Sequence, residues 1–457
     1  MTSSLRLAFD GGTVVLANAD PELLLSLPGV RHDPRADAYR AEGRCYRAIV
    51  EKLVRDKTAY EDAARSYDKT PWALQTTRDP FPHQIEAVDA WYKQGGRGMV
   101  VLPTGTGKTH VAVLAISRVG RPALVVTPTI DLLNQWYAEL RLAFNVPIGL
   151  LGGGYYDIQP LTVTTYDSAH LYVERWGNRF GLLVFDECHH LPGPSYMLAA
   201  VGSIAPFRLG LTATPERADG QEVLLPDLIG PVVYRKEIKE LAGDYLADYQ
   251  IDRLYVELSP EEQERYQKMR DEYRGFVERR GIRMGGPNGW RQFLFETYRS
   301  PEGRAAFLAY REQKRLSQAA PAKLRLLEQL LDRHRTDRVL IFTADNATVY
   351  QIARRFLVPA ITHQTKTKER RLILDRFHSG EYPILATSQV LNEGVDVPAA
   401  SVGVILSGTG SVREHVQRLG RLLRKHGEKQ ATLYEVITRN TAEEYTSDRR
   451  RQHGAYQ

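Results

Sequence analysis

A glycine-rich loop, Pro103-Thr-Gly-Thr-Gly-Lys-Thr109, lies between an apolar run, Met99–Leu102, and a segment of helical period, Val111–Val119. This order of strand, loop and helix is the setting in which phosphate-binding loops work. Gly105 and Gly107 let backbone N–H groups face an anion without a Cβ in the way, and the helix N-terminus adds partial positive charge. The loop therefore predicts a nucleotide site in an α/β domain.

The side chains that follow the glycines suit a triphosphate. We expect Lys108 to reach the β and γ phosphates and the Thr109 hydroxyl to ligate Mg²⁺. We also assign Thr106, which lies between the two glycines, to the residues that bind the nucleotide. The strict pattern has glycine at the position of Leu102, and a plain glycine-rich turn is the alternative interpretation.

An acidic motif, Asp186-Glu187-Cys188-His189-His190, ends the apolar run Leu182–Phe185. A carboxylate at the tip of such a strand can hold Mg²⁺ beside the phosphate loop, which we assign to Asp186, and Glu187 can orient and deprotonate the attacking water. The alternative is a zinc cluster of the cysteine and two histidines. Three consecutive residues point in divergent directions, which disfavours that alternative.

Short apolar runs alternate with helix-period segments in two stretches of the chain, a pattern typical of parallel sheets covered by helices on both faces. The predicted strands are Met99–Leu102, Ala123–Thr127, Leu161–Thr165, Leu182–Phe185, Arg208–Leu211, Val339–Phe342, Ile384–Thr387, Val402–Leu406 and Leu433–Ile437. The predicted helices between them are Val111–Val119, Asp131–Phe144, Asn346–Phe356, Lys368–His378 and Val412–Leu423. Two α/β domains in tandem follow from this pattern.

Two segments do not share this alternation. In residues 1–75, Leu5–Phe9 and Thr13–Leu16 suggest strands, and Tyr39–Tyr60 suggests a helix with Ile49, Leu53 and Val54 on one face. In the insert 256–315, Ser259-Pro260-Glu261-Glu262 is a helix start, and Trp290–Arg315 is predicted as a further helix after a glycine-rich break.

Composition excludes several classes of protein. The chain has 457 residues, enough for about three domains, and its 61 Lys and Arg against 55 Asp and Glu leave a net charge of +6, which suits a polyanionic partner. Two cysteines exclude a disulfide framework and a four-cysteine iron–sulfur cluster. No apolar run approaches the length of a membrane span and the N-terminus lacks a secretory signal, so we expect a cytoplasmic protein without a membrane partner.

With these motifs identified, the sequence resembles the superfamily 2 helicases of the XPB type over about residues 78–440. The resemblance implies two tandem RecA-like parallel-sheet domains at 78–240 and 241–457, an α/β fold class. It also implies a helical thumb-like insert that grips duplex DNA, at 256–315, and a small α+β N-terminal damage-recognition-like domain at 1–75. ATP and Mg²⁺ are the implied cofactors.

The resemblance assigns further residues in the first α/β domain. Gln84, in Phe-Pro-His-Gln, matches the glutamine that reads adenine, and a glutamine amide can both accept from N6 and donate to N7. Thr212-Ala-Thr214 matches the motif that links hydrolysis to strand movement. Residues that match contacts to the nucleic acid are Pro128, Thr129, Thr164, Thr165, Arg217 and Asp219. Ala218 stands where the family has glutamate in an Arg-Glu-Asp motif, which puts a wedge role for that loop in question.

The second domain carries its own motifs. In Gln417–Arg424, Arg421 and Arg424 lie at i and i+3 and match the arginine-finger helix that reaches the γ-phosphate; a basic surface helix is the alternative. Gly394 and Asp396 match a loop that couples the nucleotide state to the strand. The distinguishing XPB features are His189-His190-Leu-Pro and the run from Ala205 to Thr214.

The resemblance implies an ATP-dependent 3′→5′ DNA helicase or double-stranded DNA translocase in nucleotide excision repair, acting on duplex or forked DNA. In archaeal members it also implies a nuclease partner protein. The competing interpretations are a restriction-type ATPase subunit, an RNA helicase and an ATP-binding switch without productive turnover. The chain has a full set of predicted catalytic residues: Lys108, Asp186, Glu187 and Arg421. An ATP-binding switch would need fewer of them, which argues against that interpretation.

Overall fold

The structure, a computed structural model, describes residues 4–75, 78–217, 219–241, 245, 249–284, 288–388, 400–408 and 431–450. The chain divides into two compact units, Met1–Lys236 and Glu237–Gln457. In the described ranges the strands form three sheets, two of them in the first unit. Within those same ranges no helix is both long and apolar enough to cross a membrane.

The first sheet belongs to the N-terminal segment, where its apolar face packs against helices. Its strands are β1 (Leu5–Asp10), β2 (Thr13–Ala17), β3 (Arg31–Asp33), β4 (Ala38–Glu42) and β5 (Tyr60–Ala63), in the order β3-β4-β2-β1-β5, and its helices are α1 (Pro21–Ser26) and α2 (Tyr46–Arg55). The pairs are antiparallel except that β5 pairs with β1 in parallel. Leu7, Val14 and Ile49 form the centre of its core.

The predicted helix Tyr39–Tyr60 was wrong in extent. Its first residues form β4 and its last residue begins β5, so that only Tyr46–Arg55 is α-helical, after one 3-10 turn at Gly43–Cys45. Ile49 and Leu53 are buried as predicted, whereas Val54 is 62% exposed. Pairing of β4 with β2 and of β5 with β1 overrides the helical spacing at both ends, because sheet partners distant in sequence satisfy the backbone there.

The second sheet is the α/β core of the first unit. Its strands are β6 (Arg97–Val101), β7 (Ala123–Thr127), β8 (Gly149–Gly152), β9 (Tyr155–Asp157), β10 (Leu161–Thr165), β11 (Leu182–Asp186), β12 (Phe207–Thr212) and β13 (Val232–Arg235). Its helices are α3 (Pro82–Lys93), α4 (Lys108–Val119), α5 (Ile130–Phe144), α6 (Tyr166–Trp176), α7 (Met197–Val201) and α8 (Leu225–Leu228). The strand order is β13-β6-β12-β11-β7-β10-β8-β9.

This topology places the sequence motifs along one edge. Strands β6, β12, β11, β7 and β10 are mutually parallel neighbours, so their carboxyl ends meet at the same side of the sheet. From β6 to β10 these ends carry, in turn, the phosphate loop, the Thr212-Ala-Thr214 motif, the acidic motif, Pro128-Thr129 and the Thr165 turn.

The third sheet is the core of the second unit and is parallel throughout its described pairs. Its strands are β14 (Tyr249–Val256), β15 (Val339–Phe342), β16 (Ala360–Ile361), β17 (Ile384–Thr387), β18 (Val402–Ile405) and β19 (Ala431–Thr438), in the order β14-β19-β18-β15-β17-β16. The helices of this unit are α9 (Ile238–Leu241), α10 (Pro260–Arg279), α11 (Gly289–Arg299), α12 (Pro301–Gln318), α13 (Pro321–Arg333), α14 (Asn346–Phe356), α15 (Thr367–Ser379) and α16 (Ala442–Arg450).

Helices α10, α11 and α12 form the helical insert. The Ser259 hydroxyl accepts from the Glu262 N–H and the Glu262 carboxylate accepts from the Ser259 N–H, the capping box that the sequence predicted. The predicted continuous helix Trp290–Arg315 was wrong, because it breaks at Ser300, whose side chain caps α12. Pro301 disfavours helical backbone at the residue before it, and the same Ser-Pro-Glu signature that starts α10 was overlooked here.

Candidate active site

The phosphate loop has the backbone that its glycines allow. Gly105 and Gly107 lie in the left-handed region with φ of 91° and 82°. A Cβ on Gly107 would come within 2.3 Å of the Gln84 side-chain nitrogen, so this position needs glycine for space as well as for conformation. The loop is therefore a cradle of backbone N–H groups closed from behind by a buried side chain, a shape that fits a phosphate group.

The side chains of the loop are held by its own carbonyls. Lys108 Nζ donates to the Leu102 carbonyl at 3.1 Å and lies 3.4 Å from that of Pro103. The buried Thr106 hydroxyl donates to the Pro103 carbonyl at 2.8 Å. Thr109 is half-buried in the first turn of α4. The residues predicted to bind the phosphates thus lie together at the N-terminus of α4.

Helix α3 supports this loop through two buried side chains. Gln84 Nε2 donates to the Thr106 carbonyl at 3.0 Å, and its Oε1 accepts from the Phe81 N–H at 3.0 Å. His83 Nε2 lies 2.9 Å from the same Thr106 carbonyl. Gln84 therefore stabilises the phosphate loop. The sequence predicted only that this residue reads adenine, and did not predict this structural role. The support from His83 was missed, since a single histidine beside Gln84 carries no sequence signal.

Asp186 is a buried carboxylate at the end of β11. Its Oδ2 accepts from Trp136 Nε1 at 2.7 Å and its Oδ1 accepts from the Glu187 N–H at 3.0 Å. Burial and the neighbouring Glu187 carboxylate raise the pKa of Asp186, while the Trp136 hydrogen bond and the charge of Lys108 act in the opposite direction. A buried carboxylate whose charge is this costly is a site that a divalent cation would relieve.

Glu187 has a left-handed backbone, φ 46°, directly after the strand. Such a conformation is strained for a residue with a side chain and is found at functional sites. Its carboxylate lies 3.5 Å from Nδ1 of the fully buried His189, and that nitrogen is 3.1 Å from the Thr212 hydroxyl. The Thr212 hydroxyl donates in turn to the Thr214 carbonyl at 3.0 Å. A polar chain therefore joins the acidic motif of β11 to the end of β12.

Arg217 and Asp219 bind each other. The guanidinium donates twice to the carboxylate, at 2.8 and 2.7 Å, and it also donates to the His189 carbonyl. The hydrogen bonds from the Arg217 side chain lower the pKa of Asp219 to about 2. The pair, predicted to contact nucleic acid, is thus attached to the acidic motif, while Ala218 lies outside the described residues.

The residues predicted to hold the nucleic-acid backbone lie at the ends of β7 and β10. Thr129 and Thr165 are N-caps: the Thr129 hydroxyl accepts from the Leu132 N–H at 3.2 Å and the Thr165 hydroxyl from the Ser168 N–H at 3.3 Å. Pro128 is half-buried beside Thr129. Thr164 is fully buried and its hydroxyl donates to the Leu151 carbonyl, so this side chain links β10 to β8 within the sheet.

Four predicted residues of the second unit lie outside the described residues: Gly394, Asp396, Arg421 and Arg424. Their roles remain predictions from the motif. The zinc alternative for Cys188, His189 and His190 finds no support, because the described part of the chain holds no group of three or more His, Cys, Asp or Glu side chains arranged for a metal ion.

A phosphate loop, a buried aspartate followed by a glutamate, and capped turns aligned on one edge of a parallel sheet are the features of a P-loop nucleoside triphosphatase. Three family models match the chain: the XPB helicase damage recognition domain at residues 7–64, the type III restriction enzyme res subunit at 77–217, and the ERCC3/RAD25/XPB C-terminal helicase at 303–457.

Two relatives and one solved structure place the chain further. It is 39% identical over 426 residues to the DNA 3′-5′ translocase XPB2 of Sulfurisphaera tokodaii, covering 93% of this chain and 96% of that protein. It is 31% identical to the DNA 3′-5′ helicase XPB of Kineococcus radiotolerans, covering 86% of this chain and 66% of that one. The Hef helicase domain of Pyrococcus furiosus superposes with a TM-score of 0.56 at 19% identity over 80% of this chain and 98% of that domain, which confirms the predicted fold class. The chain belongs to the XPB family of helicases.

Proposed function

We propose that this protein is an ATP-driven 3′→5′ DNA helicase or double-stranded DNA translocase. The observation that carries the proposal is the alignment of the phosphate loop, the acidic motif and the two capped turns on one edge of the second sheet. The activities in the names of the two XPB relatives support the same function.

The ATPase chemistry is assigned to residues of the first unit. Lys108 offsets the charge of the γ-phosphate, and Glu187 orients a water molecule and takes up its proton. Asp186 and Thr109 would hold Mg²⁺, which supplies positive charge to the β and γ phosphate oxygens when bound. The glycine cradle and the buried Asp186 carboxylate fit these two groups.

Coupling of hydrolysis to DNA is assigned to the polar chain Glu187–His189–Thr212. A change in the charge near Glu187 alters the hydrogen bonds of His189, which lies next to the Thr212 hydroxyl. Because that hydroxyl is bonded to the Thr214 carbonyl, the turn after β12 responds as well. Thr129 and Thr165 lie on the other side of β11. The turns that they cap contact the phosphate backbone of the nucleic acid, which positions the DNA strand without reading its sequence.

The biological setting is part of the proposal. We place the protein in nucleotide excision repair, with residues 1–75 as the damage-recognition domain and the insert 256–315 as the DNA-gripping element. A nuclease partner fits this role, because within the 457 residues we find no nuclease motif. With alanine at position 218, we assign no strand-separating role to the Arg217–Asp219 loop.

The ATPase rate measured with different nucleic acids tests the function. We expect a low rate without nucleic acid, severalfold stimulation by single-stranded and forked duplex DNA, and little effect of RNA, since the proposed motor works on DNA. The four reactions should be run in parallel at one salt concentration because phosphate contacts are salt-dependent. Stimulation by RNA alone would favour the RNA helicase. Equal rates in all four reactions would favour the ATP-binding switch.

The Trp136 hydrogen bond to Asp186 provides a second prediction. Because the indole N–H stabilises the charged carboxylate, Trp136→Phe will raise the pKa of Asp186 further. We expect the Mg²⁺ concentration for half-maximal ATP turnover to rise about tenfold, the worth of one hydrogen bond to a charged group. The protonated carboxyl cannot hold the cation, so the increase should be larger near pH 6 than near pH 8.

Trp176→Phe is the matched control. Trp176 is also fully buried in the first unit, but its indole donates to the Ala169 carbonyl. An equal Mg²⁺ shift in both variants would mean that lost packing, not the Asp186 hydrogen bond, is responsible.

A further inference from the structure

A cleft of about 750 Å³ opens in the second unit between helices α10, α12 and α16. Its walls come from the helical insert on one side and from α16 on the other, and the first residues after β15 and β18 close its base. The volume is within the usual range for small-molecule sites, and none of its lining residues belongs to the ATPase motifs described above.

The cleft contains a largely buried amide side chain that has no hydrogen-bond partner among the described residues. Gln313, on α12, is 92% buried, since its exposed fraction is 8%, and it lines the cleft. Its amide forms no hydrogen bond with any residue that the structure describes. The amide atoms themselves are not enclosed but open to the cleft, where a ligand can complete their hydrogen bonds.

The other walls of the cleft are aromatic and basic. Tyr273 and Tyr310 lie 5.1 Å apart between ring centroids within a larger aromatic cluster, and Tyr445 is 75% exposed at the α16 side. Arg270 and Lys314 carry positive charge into the same lining, with Lys314 over the Tyr310 ring at 5.9 Å. The carboxylate of Glu443, which also lines the cleft, is already bound to the buried Lys323.

We propose that this cleft binds one unpaired nucleobase, stacked on a tyrosine ring and hydrogen-bonded to the Gln313 amide. An amide with one donor and one acceptor side matches the edge of a base, aromatic faces bind bases by stacking, and the cations suit the attached phosphate. An apolar peptide would leave both the amide and the cations unsatisfied. The inference rests on the proposed DNA function and adds to it a site for a base, on a strand or in a free nucleotide.

The test compares two forked duplexes by fluorescence anisotropy, one with thymidines in its single-stranded arm and one with an abasic arm. The wild-type protein should bind the thymidine fork about tenfold more tightly, the range of one stacked and hydrogen-bonded base. Gln313→Met, which is close in shape, should lose this preference without a fall in melting temperature, because the unpaired amide is replaced by an apolar group. Gln292→Met, on the exposed face of α11, should retain the preference.

The possible results separate this inference from the proposed function. A preference that survives in Gln313→Met overturns the inference while the DNA function stands, and absence of binding to both forks contradicts both. Loss of the preference on addition of thymidine monophosphate would show that the cleft also accepts the free nucleotide.

A measurement on the wild-type protein needs no variant. A fork with 4-thiothymidine in its arm should crosslink under ultraviolet light to the peptides that carry Tyr273, Tyr310 or Tyr445, as mapped by mass spectrometry. Adducts confined to other peptides would overturn the inference.

Discussion

Replacing Lys108 by alanine will lower the DNA-stimulated ATPase rate by at least about 10²–10³-fold, the usual cost of removing one group that stabilises transition-state charge. Lys108 lies at the N-terminus of α4 with its ammonium against the loop carbonyls of Leu102 and Pro103. No other lysine lies in the Pro103–Thr109 loop to take over its charge. The measurement is the steady-state ATPase rate at saturating ATP and DNA.

The Lys108→Ala protein should still bind DNA. In the sheet order, β12 and β11 lie between β6, which carries the phosphate loop, and β7, which carries Thr129. At the usual strand spacing this is a separation of about 14 Å, so the phosphate site can lose a charge without altering the turn that we propose holds the nucleic acid. Lys93→Ala, at the exposed end of α3, is the control for a lost surface charge and should leave the rate unchanged. Unchanged turnover in Lys108→Ala would remove the loop from the mechanism.

Arg421→Ala will lower the ATPase rate by about 10³–10⁵-fold while ATP affinity falls much less, since an arginine finger acts on the charge that develops during phosphoryl transfer. The prediction rests on the motif Gln417–Arg424, in which Arg424 lies three residues further on the same helical face. The turnover number and the ATP dissociation constant should be measured separately for each variant.

Arg439→Ala is the control for Arg421→Ala. Arg439 is a half-exposed arginine of the same unit, directly after β19, and its guanidinium lies 3.9 Å from the Glu257 carboxylate. We expect a rate close to that of the unaltered protein. A loss of ATP affinity with unchanged turnover in Arg421→Ala would identify that residue as an anchor for the nucleotide and would contradict the finger.

The sequence predicted the central strands of both α/β cores well, whereas the strands toward the sheet edges, β8, β9, β13, β14 and β16, were not predicted. Ala123–Thr127, Leu161–Thr165 and Val339–Phe342 agree residue by residue with the structure. A strand buried on both faces is rich in apolar and β-branched residues, and its ends are marked by polar or turn residues. The N-terminal segment was harder because its strands are covered on one face, and β4 with α2 imitated one long helix.

The composition of the candidate site could be predicted, but not its internal contacts. Lys108, Asp186 and Glu187 are identified by short motifs whose spacing has a chemical reason. The Trp136 contact to Asp186 joins residues 50 positions apart, and that of His189 to Thr212 spans 23. Such pairs depend on which strands are neighbours, information that a single sequence does not carry. The bracing role of Gln84 was missed for the same reason.

The hydrogen bond between Trp136 and Asp186 gives the molecule a built-in optical probe. The emission of an indole depends on the electric field around it, and here the ring nitrogen faces the carboxylate proposed to hold the cation, at 2.7 Å. Proton uptake or cation binding at that carboxylate changes the field directly. The chain has four other tryptophans, so the part of an emission change that Trp136→Phe abolishes reports the ATPase centre without an attached dye.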